Sequence, residues 1–396
     1  MRTIPGLEMA DIFRQHGSVY RESHKLPRNH LRVMHAIELC RTTALGGHKD
    51  KCDQCGHLEI SYNSCRNRHC PKCQTMAKEK WIEARGEDLL PIEYFHVVFT
   101  IPSELNYIVS MNRKVMYDLL FRSVSETLMK LAFDPKHLGA KIGVISILHT
   151  WGQNLMDHPH IHCIVTGGGL SSDGSRWVSC RKGFFLHVRV MSALFSGKFL
   201  DHLKHCFKNG ALVFPGSISH LKELGNFETF RKQFYEKKWV VYCKPPFGGP
   251  EGVLQYLGRY THRVAISNNR ILANRDGNVS FLWRDYADDN RKKTMTLNAD
   301  EFIRRFLLHV LPERYVRIRH VGLLANRNRK NNIAECHKML GGENVKKEKK
   351  RETWQEQLLR ICGIDVTVCP ICQKGKMCRI ERLLPVRCKS PPELMR

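Results

Sequence analysis

A chain of 396 residues with 42% hydrophobic side chains is long enough for two or three domains and at least one sizeable core. Its formal charge of +26, from 64 Lys and Arg against 38 Asp and Glu, goes beyond what solubility needs and calls for a polyanionic partner, nucleic acid ahead of anionic membrane. No run approaches the about 18 apolar residues of a spanning helix, and residues 1–8 lack the apolar stretch of a signal peptide. A cytoplasmic, nucleoid-associated protein is therefore expected, in which 16 cysteines point to metal or buried thiols before disulfides.

Residues 1–45 read as two helices, with apolar spacing at Ile12, Val19, Leu31, Met34 and Ile37 and a break at Leu26-Pro27. Cysteines dominate the next stretch. Cys52-x2-Cys55 and Cys70-x2-Cys73 are two knuckles 14 residues apart, close to the ribbon spacing in which each turn offers two thiolates to one tetrahedral zinc. His48, His57, Cys65 and His69 stand close enough to replace a cysteine or to serve a second ion. Arg66 and Arg68 lie between the knuckles, and a basic, metal-stapled module of this size suits DNA binding. These features define an expected N-terminal helical and zinc-ribbon domain over residues 1–90.

A helical link over 77–90 leads to Tyr94–Ile101, an apolar strand rich in β-formers, at which a catalytic domain is expected to start. A long amphipathic helix is expected over 103–133 and a strand over 142–149. Gln153, Asn154 and Asp157 make the turn into His158–Val165. Strand alternation places His160 and His162 on one face, with Ile161, Cys163 and Val165 turned into a core. Two imidazoles side by side on a strand are half of a divalent-metal site, though a polar strand face is the commoner meaning of such a pair. Gly167-Gly168-Gly169 has no following Gly-Lys-Ser/Thr, so it reads as a turn and not as a phosphate loop.

Residues 171–247 carry no chemical motif and read as an insertion with helices over 190–207 and 218–236 and a strand over 239–243. Pro250 and Glu251 suit the first turn of a helix on which Tyr256 and Tyr260 form an i, i+4 pair. Such a pair can be a core stripe. Here Arg259 and Arg263 adjoin it, and a hydroxyl beside guanidinium groups is well placed for a phosphate. A hairpin is expected around 275–278, a third strand over 292–297 and a helix over 300–311. From Arg314 to Lys330 arginines interleave with Tyr315 and His320, which suits a single-stranded path or a solvated basic face. The expected catalytic domain spans 91–320. Residues 321–396 read as a basic linker and a tail with Cys362, Cys369-x2-Cys372, Cys378 and Cys388, where one proper knuckle with irregular partners offers either a second zinc site or free thiols.

Together these residues resemble a known family, the two-tyrosine HUH rolling-circle transposases of bacterial insertion sequences, the insertion-sequence-ninety-one group. The resemblance rests on His160-Ile161-His162 running into Val165-Thr166-Gly167-Gly168-Gly169, on Tyr256-Leu257-Gly258-Arg259-Tyr260-Thr261-His262-Arg263, and on the upstream cysteine-rich segment, over about residues 45–320. It implies an α+β fold, the HUH endonuclease arrangement of a modified ferredoxin-like antiparallel sheet with helices, behind the zinc domain. It further implies a transposase that nicks and rejoins single-stranded DNA at transposon ends through a 5′-phosphotyrosine on Tyr256 or Tyr260. Mg²⁺ or Mn²⁺ would sit on His160, His162 and a third ligand, for which Gln153 comes first and His149 and His158 are alternatives. Zn²⁺ would sit on Cys52, Cys55, Cys70 and Cys73, and Arg66, Arg68, Arg259 and Arg263 would hold DNA. A related replication-initiator or relaxase nickase and a non-catalytic zinc-dependent regulator are the competing readings; the regulator does not account for the tyrosine and histidine pairs together.

Overall fold

The computed structural model of the chain describes residues 6–86, 88–244, 252, 253, 256, 258, 261–285, 288–341 and 352–386. It has mixed α+β architecture, and every strand pairing in its three sheets is antiparallel. The chain falls into two compact units. One comprises residues 1–80, 262–310 and 347–396, and the other 81–261 and 311–346.

In the first unit, α1 (Met9–Ser23) and α2 (Arg28–Glu38) are separated by Pro27, whose missing N–H suits the entry to α2. Strands β1 (Gly47–Cys52) and β2 (Leu58–Tyr62) form a hairpin whose loop carries the first cysteine knuckle. The helix α3 (Gln74–Gly86) follows the second knuckle. The expected hairpin and third strand around 275–298 occur here, as β8 (Ile271–Arg275), β9 (Asn278–Asp285) and β10 (Arg291–Asn298), followed by the helix Ala299–Leu308. Phe302 of that helix meets Phe281 edge-on at 5.5 Å, and Phe306 meets Phe13 of α1 the same way. These rings are almost fully buried, each stabilising the unit by about 2–3 kcal/mol.

The last strand, β12 (Met377–Leu383), pairs with β1 from Gly47↔Leu383 to Cys52↔Met377. The division into 1–90, 91–320 and 321–396 expected from the sequence therefore differs from the observed one. Residues 262–310 and the C-terminal cysteine segment join the N-terminal unit, because strand pairing and aromatic packing hold them there.

The second unit is built on a sheet in the order β11-β4-β5-β3-β7, with β6 pairing the far end of β5. Its strands are β3 (Tyr94–Thr100), β4 (Ala140–Trp151), β5 (Asp157–Ser171), β6 (Trp177–Ser179), β7 (Val240–Lys244) and β11 (Ile318–Gly322). One face buries Phe95, Val97, Phe99, Val144, Ile161, Cys163 and Val165 against the helices Arg113–Phe133 and Val188–Lys208. Ile161, Cys163 and Val165 thus point into a core, as alternation requires. The expected helix over 103–133 is interrupted at Asn112, whose side chain leaves helical use to accept the Val213 N–H at 2.7 Å and to donate to the Val213 carbonyl at 2.8 Å.

The opposite face is also covered. Ile145, Ile147 and Ile164 pack there with Leu89, Leu90, Leu323 and Leu324 and with Ile333 and Cys336 of the helix Arg329–Met339. The glycine run 167–169 is not a turn, since β5 continues through it. A Cβ on Gly167 would stand 2.6 Å from the Glu93 carbonyl oxygen, and one on Gly169 would stand 2.3 Å from that of Lys141. Glycine is needed because neighbouring backbone approaches too closely for any side chain.

Candidate active site and cysteine centres

The histidines lie where the apolar patch on the second face of the sheet ends. Along β4 the sequence of that face is Ile145, Ile147, His149; along β5 it is Ile164, His162, His160; along β3 it is Tyr94, His96, Val98. His149 is the direct cross-strand partner of His160. His149, His160 and His162 each bring a ring nitrogen into one group whose atoms lie within 4.8 Å of one another. The Nε2 atoms of His160 and His162 are 3.1 Å apart, and the His160 Nδ1 stands 2.6 Å from the His158 carbonyl oxygen. That second contact fixes the proton on Nδ1 and leaves Nε2 as the donor of a lone pair. His149 is stacked on Trp151 at 4.7 Å and is 2% exposed, so its ring is held rigidly.

His149 was one of two histidine alternatives for the third ligand. Gln153, the first choice from sequence, lies in the turn between β4 and β5. Three nitrogens fit a divalent transition ion better than Mg²⁺, which takes oxygen ligands.

Sequence reasoning missed His96. It is nearly fully buried on β3, diagonal to His162, and its Nε2 lies 2.9 Å from the His162 Nδ1. Its other nitrogen, Nδ1, lies 3.1 Å from the Tyr256 hydroxyl. A hydrogen-bonded series therefore runs from Tyr256 through His96 to His162 and His160. Burial pushes the His96 pKa down to about 4, with the nearby Lys244 charge adding to the shift, so the ring is neutral at pH 7. One available signal was a single imidazole inside an otherwise apolar strand, where a buried polar group needs a partner.

Tyr256 is half-buried and helical, and the described residues Gly252, Val253, Gly258 and Thr261 around it are helical too, the last three buried. Tyr260 and Arg259 lie outside the described residues, so the expected i, i+4 pair is placed at Tyr256 alone. The buried Arg317 donates to the Thr261 carbonyl at 2.5 Å, tying the end of this segment to the strand region. Arg319 lies over the Phe121 ring at 4.2 Å and pairs with Asp118, and Arg329 pairs with Asp88 at 3.0 Å. Much of the basic run from Arg314 to Lys330 is thus engaged inside the fold. Arg66 is exposed, while Arg68 and Arg263 are half-buried.

The cysteines form two centres. Cys70 and Cys73 meet Cys40 and Cys65, whereas Cys52 and Cys55 meet Cys369 and Cys372. The quartet expected from sequence, Cys52, Cys55, Cys70 and Cys73, is not brought together. Cys40, at the end of α2, and Cys65 complete the one centre, and the C-terminal knuckle completes the other. In the first centre the Sγ atoms of Cys40 and Cys73 are 3.5 Å apart and those of Cys65 and Cys73 are 3.6 Å apart. A zinc ion with Zn–S bonds of about 2.3 Å has tetrahedral S···S edges of about 3.8 Å, which matches these spacings closely. Backbone N–H groups of Cys65 and Asn67 point at Cys40 and Cys65 sulfurs at 3.5 Å, the means by which a knuckle stabilises thiolates. Hydrogen bonds from Cys65 and Cys70 hold the Cys40 thiol below the usual cysteine range.

Comparisons with known proteins point to a transposase family. The family model described as "Putative transposase" matches residues 143–332, and the one described as "Transposase zinc-binding domain" matches residues 12–101. The chain is 51% identical over 383 residues to "Putative transposase y4qJ" of Sinorhizobium fredii, covering 95% of each. It is 28% identical over 292 residues to "Transposase for insertion sequence element IS801" of Pseudomonas savastanoi pv. phaseolicola, covering 73% of this chain and 68% of that one. No solved structure matches it. Among the described residues no helix is long and apolar enough to cross a membrane.

Proposed function

This chain belongs to the IS91 family of transposases, zinc-binding domain included, and we propose that it cuts and rejoins single-stranded transposon ends through a covalent 5′-phosphotyrosine on Tyr256, with Tyr260 as the second nucleophile. One observation carries this reading: the Tyr256 hydroxyl is hydrogen-bonded through a buried histidine to a cluster of three imidazoles. A buried phenol needs a hydrogen-bond partner in any role; what favours catalysis is that this partner leads on to the imidazole cluster. The HUH pair His160 and His162, with His149, would hold a divalent ion. Gln153, on the adjoining turn, is the competing third ligand. When bound, the ion would polarise the scissile phosphate and stabilise its developing charge.

The remaining work falls to side chains. The Tyr256 oxygen attacks phosphorus in line, the bond to the 3′-oxygen breaks, and the phenolic proton is in balance with the one taken up by the leaving 3′-hydroxyl. The ester keeps the energy of the phosphodiester, so attack by a 3′-hydroxyl rejoins strands with no nucleotide cofactor. Two tyrosines allow a second cut before the first linkage is released, the requirement of rolling-circle transfer.

His96 acts as a positioning residue. If His162 presents Nε2 to an ion, its Nδ1 carries the proton and donates to His96 Nε2; the His96 proton is then on Nδ1 and is donated to the Tyr256 oxygen. The phenol oxygen is held in place, its own hydrogen turned outward, and charge that develops on it is stabilised. DNA affinity comes from the excess of Lys and Arg, Arg66, Arg68, Arg259 and Arg263 among them. The zinc of the matched zinc-binding domain is assigned to Cys40, Cys65, Cys70 and Cys73, all inside residues 12–101.

The test is a single-stranded oligonucleotide carrying a transposon end, labelled on the 3′ side of the cut and incubated with Mn²⁺ or Mg²⁺. Label should migrate with denatured protein and map to Tyr256 or Tyr260 by mass spectrometry. Cleavage with no adduct, or an adduct on another residue, refutes the reading.

A further inference from the structure

We propose that Cys52, Cys55, Cys369 and Cys372 hold a second structural zinc ion, which makes residues 365–383 an integral part of the zinc-binding head. The matched zinc-binding domain ends at residue 101, so half of this donor set lies far outside it. The geometry is nonetheless that of a built site. Cys52 and Cys372 sulfurs are 3.7 Å apart, and those of Cys55 and Cys369 are 3.6 Å apart. Both spacings match the edge of a tetrahedron with Zn–S bonds of about 2.3 Å and far exceed a disulfide bond of about 2.05 Å.

Each half of the site is a turn folded around its sulfurs. In the N-terminal knuckle the Cys52 N–H donates to the His57 carbonyl and the Cys55 N–H points at the Cys52 sulfur at 3.4 Å. In the C-terminal knuckle the Cys369 N–H donates to the Gly375 carbonyl and the Gly375 N–H points at the Cys372 sulfur at 3.3 Å. The two turns interlock. A Cβ on Gly375 would stand 2.3 Å from the Cys52 sulfur, so only glycine lets the knuckles close on each other. The Asp53 N–H donates to the Lys376 carbonyl, and the Lys376 N–H donates to the Asp53 carboxylate at 2.8 Å. Cys52 and Cys369 are buried, the others less so.

Four thiols gathered in so small a module bury little apolar surface and gain weak hydrogen bonds at best, whereas a thiophilic tetrahedral ion supplies folding energy outright. The ion would also close a loop of more than three hundred residues, one that β12 and β1 pairing closes through six residue pairs. Removing the C-terminal knuckle would then release the β1–β2 hairpin as well as the tail.

The experiment uses the full wild-type chain, first washed with chelator to strip weakly held ions. Zinc released by an organomercurial, which attacks thiolate ligands, is then counted with a chromogenic chelator. Two zinc ions per chain are expected, and X-ray absorption should give sulfur-only shells at about 2.3 Å. One ion per chain, iron in the second site, or a disulfide-bonded Cys52, Cys55, Cys369 or Cys372 in the unreduced protein would overturn the proposal. Cys369→Ser/Cys372→Ser should lower the count from two to one, and an unchanged count overturns it too. Cys65→Ser/Cys73→Ser removes the other ion, so failure of the first assignment is read separately. Should the serine variants not fold, the wild-type count and absorption shell still decide.

Discussion

The hydroxyl of Tyr256 lies 3.1 Å from the Nδ1 of His96, whose opposite nitrogen is 2.9 Å from the Nδ1 of His162. A residue from a helix is thereby connected, through one imidazole, to the strand that carries the paired histidines. In neutral His96 only one ring nitrogen bears a proton, so the state of His162 dictates what Tyr256 receives.

His96→Phe keeps the ring volume and removes both contacts. Adduct formation should slow by about 10- to 100-fold, the usual cost of losing an outer-shell partner of a metal ligand. The more telling readout is the pH profile. With the His96 donor removed from its oxygen the Tyr256 phenol should ionise at higher pH, moving the rising limb of the rate to the alkaline side. A slower reaction with an unmoved profile would assign His96 to packing only.

His149→Ala and Gln153→Ala separate two accounts of the third ligand. Calorimetric titration of the chain with Mn²⁺ should show weaker binding for His149→Ala by about 10-fold or more, with Gln153→Ala close to wild type, because the imidazole belongs to a rigid strand and the amide to a turn. The reverse order would restore the amide as the ligand.

Tyr256→Phe removes one oxygen and little buried area. We expect the first cut to persist at reduced rate through Tyr260, with strand transfer lost, and the double Phe variant to bind single-stranded ends and form no adduct. Full transfer by Tyr256→Phe would return the tyrosine to a structural role.

Burial holds His96 at about 4 and His320 at about 4, the latter with Arg85 and Arg329 adding to the shift. Among the described residues the His320 Nε2 has no hydrogen-bond partner. Both groups bind a proton more readily in the unfolded chain, at about 6.5. Their contribution to stability is thus complete above pH 6.5 and is lost as pH falls toward 4. For His96 the shift corresponds to about 3 kcal/mol. Urea midpoints of the metal-free chain, followed by tryptophan emission, should fall between pH 7 and pH 5, and His320→Leu should make that fall shallower. A midpoint independent of pH in both chains would contradict the assignment of neutral buried rings.

Gly169→Ala tests the reinterpretation of the glycine run. Its Cβ would meet the Lys141 carbonyl oxygen at 2.3 Å, so β4 and β5 must part. Destabilisation of about 1–3 kcal/mol by chemical denaturation is expected, against almost none were these residues a surface turn.

Local pattern was enough to place most of the elements. Period-two alternation set the histidine strand and sent Ile161, Cys163 and Val165 to the core side, and Pro27 marked the break between α1 and α2. The combination of a histidine pair, a tyrosine string and cysteine knuckles was sufficient to indicate the family. Partner choice was another matter. Cys-x2-Cys spacing says that two sulfurs share an ion and nothing about which other two complete it, so Cys70 and Cys73 could join Cys40 and Cys65 while Cys52 and Cys55 joined residues over three hundred positions away. Register is likewise a long-range quantity. His149 faces His160, and His96 stands diagonal to His162, only because β4 and β3 pair on either side of β5 in one alignment; a slip of one residue would turn each ring to the opposite face. The sequence thus determined the kinds of ligand and nucleophile, which are properties of single residues and their near neighbours. The tertiary structure decided which of them meet, because strand pairing is selected by the packing of both faces of the sheet at once.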